Sequence, residues 1–203
     1  MKPFGIPHNE GGIVITATVG TVVAFFAVLG LFLYLVTVFN GLIRLKVNID
    51  KAWANIDVLL KQRHDLVPNL VAVVKGYKDF EQKTLTDLTA ARTASLGAVS
   101  LSDKAQAAET LTGSLNRLFA VVENYPQLKA QQNFLELQKT LSDLESQVAD
   151  RRSFYNDTVA AYNARIAQFP DVLLAGGMKL TRRDLFQAAE GEKGIVQVNL
   201  AAS

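Results

Sequence analysis

The sequence predicts an all-α protein with a single amino-terminal transmembrane helix, an antiparallel bundle of three to four long helices, and a short irregular carboxy-terminal tail. Three observations predict it. An uncharged apolar run fills residues 13–39, apolar residues recur at spacings of three and four through most of the chain beyond it, and helix-breaking residues gather at a few connections. On this pattern the chain divides into a short segment 1–12, a membrane helix 13–39, a bundle 40–170, and a tail 171–203 with one short helix.

From Ile13 to Phe39 the polar side chains are limited to Thr16, Thr18, Thr21, Tyr34 and Thr37. About 20 residues cross a hydrocarbon core of roughly 30 Å, so the run spans with residues to spare. A cleaved leader has a shorter apolar stretch behind a basic start, and only Lys2 precedes this one. Arg44, Lys46 and Lys51 come after the run, which favours a bundle on the cytoplasmic rather than the external side of the membrane. Gly20 and Gly30 permit close approach of neighbouring spans, with Thr16, Thr18, Thr21 and Thr37 expected at a subunit interface.

The first arm of the bundle carries a seam of Leu42, Leu45, Ile49, Ala52, Ile56, Leu59, Leu66, Leu70, Val73 and Tyr77, which needs partner helices to cover it. Trp53 lies too far past the apolar run for a membrane-interface residue and is expected to pack in the bundle. Pro68 removes a backbone donor from this arm, which predicts a kink or break near Asp65 to Pro68, with Asp65 capping the helix beyond it. Gly97 and the Ser100, Ser102, Asp103 cluster end one arm and cap a shorter helix from about Asp103 to Glu123, with Ala107, Leu111, Leu115, Leu118 and Val122 on one face. Pro126 suits the opening of a third arm with Phe134, Leu137, Leu141, Leu144, Val148, Tyr155, Val159, Tyr162, Ile166 and Phe169 on its seam. After Pro170 the pattern stops; Arg182 to Ala189 is a candidate short helix, and the alternating Ile195 to Leu200 is a frayed end or an extended segment laid on the bundle or on a partner.

Composition removes several function classes. The 203 residues include 21 basic and 19 acidic ones, well mixed, for a net charge of +2, so no single-sign field draws nucleic acid, which is excluded as an expected partner. Without cysteine there are no disulfides, thiolate metal sites or cysteine nucleophiles. His8 and His64 stand far apart, and no zinc-peptidase, phosphate-loop, nucleophile-elbow or dinucleotide motif occurs. Di-iron bundles need Glu-x-x-His pairs that this chain lacks. The expectation is therefore no catalytic, cofactor-binding or metal-ligating residue.

The polar constellation worth weighing is Lys61, Gln62, Arg63, His64 and Asp65, with Pro68 just beyond. Such a cluster is most often a solvated face, with pairs worth about 0.3 to 0.5 kcal/mol. The sharper reading is that Arg63 or Asp65 joins a buried network, or that the cluster contacts a partner. Arg151 and Arg152 interrupt the third seam, and pairing with Asp57 or Asp65 is plausible in an antiparallel bundle.

The stretch IDKAWANIDVLLKQRHDLVPNLVAVVKGY, Ile49 to Tyr77, closely resembles the hallmark region of LemA proteins. EQKTLTDLTAARTAS (Glu81 to Ser95), NYPQLKAQQNFLELQKTL (Asn124 to Leu141), RRSFYNDTVAAYN (Arg151 to Asn163) and FPDVLLA (Phe169 to Ala175) resemble the family pattern in the same order. The resemblance implies one membrane helix and a bundle of long antiparallel helices, without an established reaction or agreed active-site residues. It also implies association with a bilayer, with one related branch at magnetosome membranes, and gene neighbours that include membrane zinc metallopeptidases. The expected function is a self-associating, non-catalytic membrane scaffold or adaptor of the bacterial envelope. A membrane-remodelling helical assembly and an accessory subunit of a membrane protease are the alternatives, so the expected partners are lipid, further copies of the chain, and an envelope or membrane-protease protein.

Overall fold

The computed structural model describes residues 10–77 and 80–187, with side-chain surroundings from residue 18 onward. Lys2 and His8 in the amino-terminal segment, and the Ile195 to Leu200 alternation, lie outside the described residues. Among the described residues every regular element is a helix, without strands. Its elements are α1 (Glu10–Lys75), α2 (Gln82–Gly97), α3 (Leu101–Val122), the single turn α4 (Pro126–Lys129), α5 (Gln132–Arg165) and the short α6 (Asp171–Gly177).

The apolar run and the first arm of the bundle are one helix of 66 residues, about 100 Å long at 1.5 Å per residue. Between Thr18 and Phe39 every residue except Val38 is exposed, including Phe25, Phe26, Leu31 and Phe32 on different sides of the helix. A stretch that is long enough to cross a bilayer, apolar all round and exposed on all sides, suits a lipid surrounding.

The predicted break at Asp65 to Pro68 is absent: α1 runs through Pro68 to Lys75, and Asp65 caps nothing. Proline at 68 leaves the carbonyl of His64 without its helical donor. Arg92 of α2 supplies the replacement, its Nε–H donating to His64 O at 2.9 Å. Pro68 itself is exposed, so its ring meets water rather than a neighbour.

Beyond Val38, α1 pairs antiparallel with α5: Gly41 lies beside Arg165, the Trp53 ring meets that of Tyr155 at 6.0 Å, and Arg63 meets Glu145. A Cβ added at Gly41 would stand 3.2 Å from the Arg165 guanidinium, which therefore lies close against the backbone of α1. The Ser100 hydroxyl accepts from Asp103 N at 3.0 Å and the Asp103 carboxylate accepts from Ser100 N, so the cap expected from this cluster is a reciprocal capping box at the start of α3. The buried residues of α3 are Ala105, Ala108, Leu111, Leu115, Leu118 and Val122, so Ala107 sits at the margin of the face.

Two apolar clusters result. The proximal one, next to the span, combines Leu42, Ile49, Ala52, Ile56 and Leu60 of α1 with Val148, Tyr155, Val159 and Tyr162 of α5, the start of α3, Ala175 of α6, and Phe186. The distal one joins Val67, Leu70 and Val74 to α2, to Leu111 through Val122 of α3, to Leu128, and to Phe134 and Leu141 of α5.

The tail is where the structure departs most from the pattern. The short helix is at Asp171–Gly177, and residues 182–187 of the predicted helix take up no regular secondary structure, while its last two positions, 188 and 189, lie outside the described residues. The α6 end is a Schellman turn, with Leu180 N donating to Ala175 O at 2.9 Å, Lys179 N to Gly176 O, and Lys179 in the left-handed region at φ 52°. The chain then runs as a strap over α5. Tyr162 and Tyr155 donate their hydroxyls to the carbonyls of Thr181 and Asp184, both at 3.1 Å. Asn163 accepts from Arg183 N and donates to Arg183 O; Asn156 does the same with Phe186. These Tyr-Asn pairs are seven residues apart on the helix, about 10.5 Å, and their strap partners are three residues apart in extended chain, about 10 Å. A backbone claimed in this way is unavailable to a helix.

Candidate functional site

Arg63 is wholly buried, at the level where the proximal cluster gives way to the distal one. It falls on a strict seven-residue series, Leu42, Ile49, Ile56, Arg63, Leu70, so the helix geometry that buries the four apolar members also buries the arginine. Its Nη1 donates to Glu145 Oε2 at 2.5 Å and to Thr112 Oγ1 at 2.9 Å, and Nη2 donates to Ala108 O at 3.0 Å. The Thr112 hydroxyl stands 2.9 Å from Glu145 Oε1 and 3.0 Å from Ala108 O, so it donates to one or the other. Arg63 Nε has no protein partner. Burial lowers the guanidinium's pKa, and the charge and hydrogen bond of Glu145 oppose that shift. Three helices thus meet at one charged, hydrogen-bonded layer.

His64, next in sequence, turns toward α2 and meets the Ser95 hydroxyl through Nε2. Burial first, then the positive charges of Arg63 and Arg92, depress its pKa below the ordinary value. The His64–Ser95 pair has the composition of a nucleophile and base, and it lines a cleft of about 280 Å³ with Asp57, Lys61, Asp65 and Lys104. Both residues lie inside helices, His64 in α1 and Ser95 in α2. What the arrangement does is tie α2 to α1: Ser95 through the ring of His64, Arg92 through its carbonyl.

The other sequence candidates separate. Asp65 and Pro68 are exposed, as is Arg151. The suggested pairing of Arg151 or Arg152 with Asp57 or Asp65 is not what forms, because the facing residues on α3 are nearer. Arg152 bonds Glu109 at 3.1 Å and lies over the Phe186 ring at 5.0 Å, while Asp57 takes Lys104 at 3.0 Å. Trp53 packs in the bundle as expected, against Tyr155 and Phe186 with Lys104 over its ring. Among the described residues no three His, Asp or Glu side chains converge as metal ligands would.

Sequence reasoning missed Thr112, Glu145 and Arg92. Glu145 carries a usable signal, since Glu145, Arg152, Val159 and Ile166 form a seven-residue series that is polar where α3 runs alongside and apolar beyond. Arg92 carries none without knowing which helix faces Pro68.

The sequence profile of the LemA family matches residues 52–200. Protein LemA of Metamycoplasma hominis is 29% identical over 160 residues, covering 76% of this chain and 71% of that protein. Magnetosome protein MamQ 2 of Paramagnetospirillum magneticum is 34% identical over 74 residues, covering 36% of this chain and 27% of its own length. Magnetosome protein MamQ of Magnetospirillum gryphiswaldense is 22% identical over 158 residues, covering 65% of this chain and 58% of its own. None of these names specifies a reaction.

Proposed function

This chain belongs to the LemA family, and from that premise we propose that it is a membrane-anchored, non-catalytic scaffold or adaptor of the bacterial cell envelope that works by self-association. The observation that carries the reading is the unbroken α1. A span joined to its bundle by continuous helix holds the bundle at a fixed orientation to the bilayer, which suits a scaffold and serves no purpose in a freely tethered enzyme. The charged residues of the Arg63 layer are engaged in joining helices, which leaves the long outer faces as the working surface.

Self-association begins in the span on this reading, with Gly20 and Gly30 open on their sides. Arg44, Lys46 and Lys51 after the span, against Lys2 before it, support a cytoplasmic bundle. The test is particle mass by light scattering, with images of the same particles, for the full chain in mild detergent beside a chain beginning at Asn40. A large closed assembly that needs residues before Asn40 is the expected result. Monomers in both samples would sink the scaffold and point to a heterologous partner such as a membrane protease, whereas open, growing polymers would favour membrane remodelling.

A further inference from the structure

We propose that the corner between α5 and α6, residues 166–177, is a membrane foot that lies in the headgroup and upper acyl region of the leaflet from which α1 emerges. The proposal rests on the reading that α1 spans a bilayer. Its first support is the corner's surface. Phe169 is 81% exposed, Leu173 69% and Val172 41%, three large apolar side chains within five residues of a segment that folds tightly against the bundle. A cluster of that kind on a soluble face marks a contact surface.

Its second support is level. Val38, inside the uncharged run, is the one residue between Thr18 and Phe39 that the protein buries, and it shares its apolar cluster with Ile166 and Ala175. α6 packs against α1, and its Asp171 holds Arg165, whose guanidinium lies against Gly41, two residues past the apolar run. From Val38 to Arg44, the first charge after the run, is six residues, about 9 Å of helix, comparable to the roughly 5–10 Å depth at which interfacial apolar side chains settle.

The third support is charge. The acidic group of α6, Asp171, is 6% exposed and is held by Arg165 Nε at 2.5 Å, so it presents no bare carboxylate to the bilayer. Around the corner Arg44, Lys46 and Lys179 stand at least partly exposed, the arrangement that anionic headgroups attract. A second copy of the chain, associating through the span, is the rival cover for the apolar side chains, and the exposed basic residues near them favour lipid headgroups over it.

The absence of native cysteine allows the test in the whole protein. Single substitutions Phe169→Cys, Leu173→Cys, Val28→Cys and Val99→Cys carry an environment-sensitive fluorophore in vesicles of phosphatidylethanolamine and phosphatidylglycerol, with nitroxide-labelled lipids as quenchers. The expected result is blue-shifted emission at 169 and 173, quenched most by a nitroxide near the headgroup. The fluorophore at 28 is quenched most by one at the acyl chain end, and that at 99, which is 88% exposed and lies at the level of Ile49 and Trp53, about 16 Å or more along α1 from Val38, by neither. Quenching at 28 with none at 169 and 173 overturns the foot and leaves the span standing. Blue-shifted but unquenched emission at 169 and 173 overturns it in favour of a second copy. No quenching at 28 overturns the span and the foot together.

Discussion

The distal and proximal halves of the bundle solve the same packing problem with different materials. In the distal half, α1, α2, α3 and α5 close on one another through apolar side chains, with the rings of Phe119 and Phe134 at 6.1 Å and of Phe80 and Tyr125 at 5.1 Å. In the proximal half α2 is absent and α3 reaches only its first turns, so α1 and α5 would leave an open side. The strap fills it with Phe186, but an extended chain brings backbone N–H and C=O groups that need partners when water is excluded. The two Tyr-Asn pairs of α5 supply them. Where helices run short, the seam must carry polar side chains in order to stay buried.

Four perturbations sharpen or break this contrast. The largest is Phe186→Ala, which empties a fully buried aromatic site at a cost of about 3–5 kcal/mol. Trp53, the single tryptophan, packs on Phe186, so its fluorescence should report the proximal half separating before helicity by circular dichroism is lost. Leu118→Ala, in the distal half, should instead lower both signals together by about 2–5 kcal/mol. Identical behaviour of the two variants would merge the halves into one cooperative unit.

Arg63→Ala, at the layer between the halves, should cost about 3 kcal/mol, the low end for a broken buried pair because the Glu145 side chain is 38% exposed. Urea unfolding of the full chain in detergent checks it, and Glu145→Gln, which keeps an acceptor for Arg63, should cost less. Next in size is Arg92→Ala, which strips the His64 carbonyl of its side-chain donor and should cost about 1–2 kcal/mol. Pro68→Ala restores the helical N–H, so in that background Arg92→Ala should become nearly silent; equal effects in both backgrounds would refute the link. The smallest effect is that of pH. His64 has a folded-state pKa below its unfolded value of about 6.5, so its neutral form adds nothing to the pH dependence above that value. As pH falls below it, the unfolded chain takes the proton first and stability drops until the folded-state pKa is passed. His64→Gln should flatten that part of the stability profile.

The same contrast explains what is legible in the sequence. Apolar periodicity discloses α1, α3 and α5 and the antiparallel run of the long helices, and the Ser100 cluster discloses the capping box. Along α1 the predicted seam drifts: Leu59, Leu66 and Val73 are half-buried, while Leu60, Val67 and Val74 are the buried ones. The drift begins at Leu59, one turn before Arg63, which a three-and-four spacing of apolar residues skips although the seven-residue series points through it. Pro68 reads as a break because the compensating donor comes from α2, 28 residues away from the carbonyl it serves. The strap is hidden because its code is two Tyr-Asn pairs on another helix rather than a pattern of its own. In the candidate site, Arg63 and His64 stand out from sequence, but their partners Glu145, Thr112, Arg92 and Ser95 depend on which helices face one another.

The unjointed α1 also makes the molecule a lever. About 36 residues of it extend past Phe39, an arm of about 54 Å, so a tilt change of about 10° in the span carries the distal end sideways by about 9 Å. Tilt responds to hydrocarbon thickness, and a thinning or thickening of the bilayer by a few ångström is therefore amplified into a displacement about the width of a helix at the far tip of the bundle.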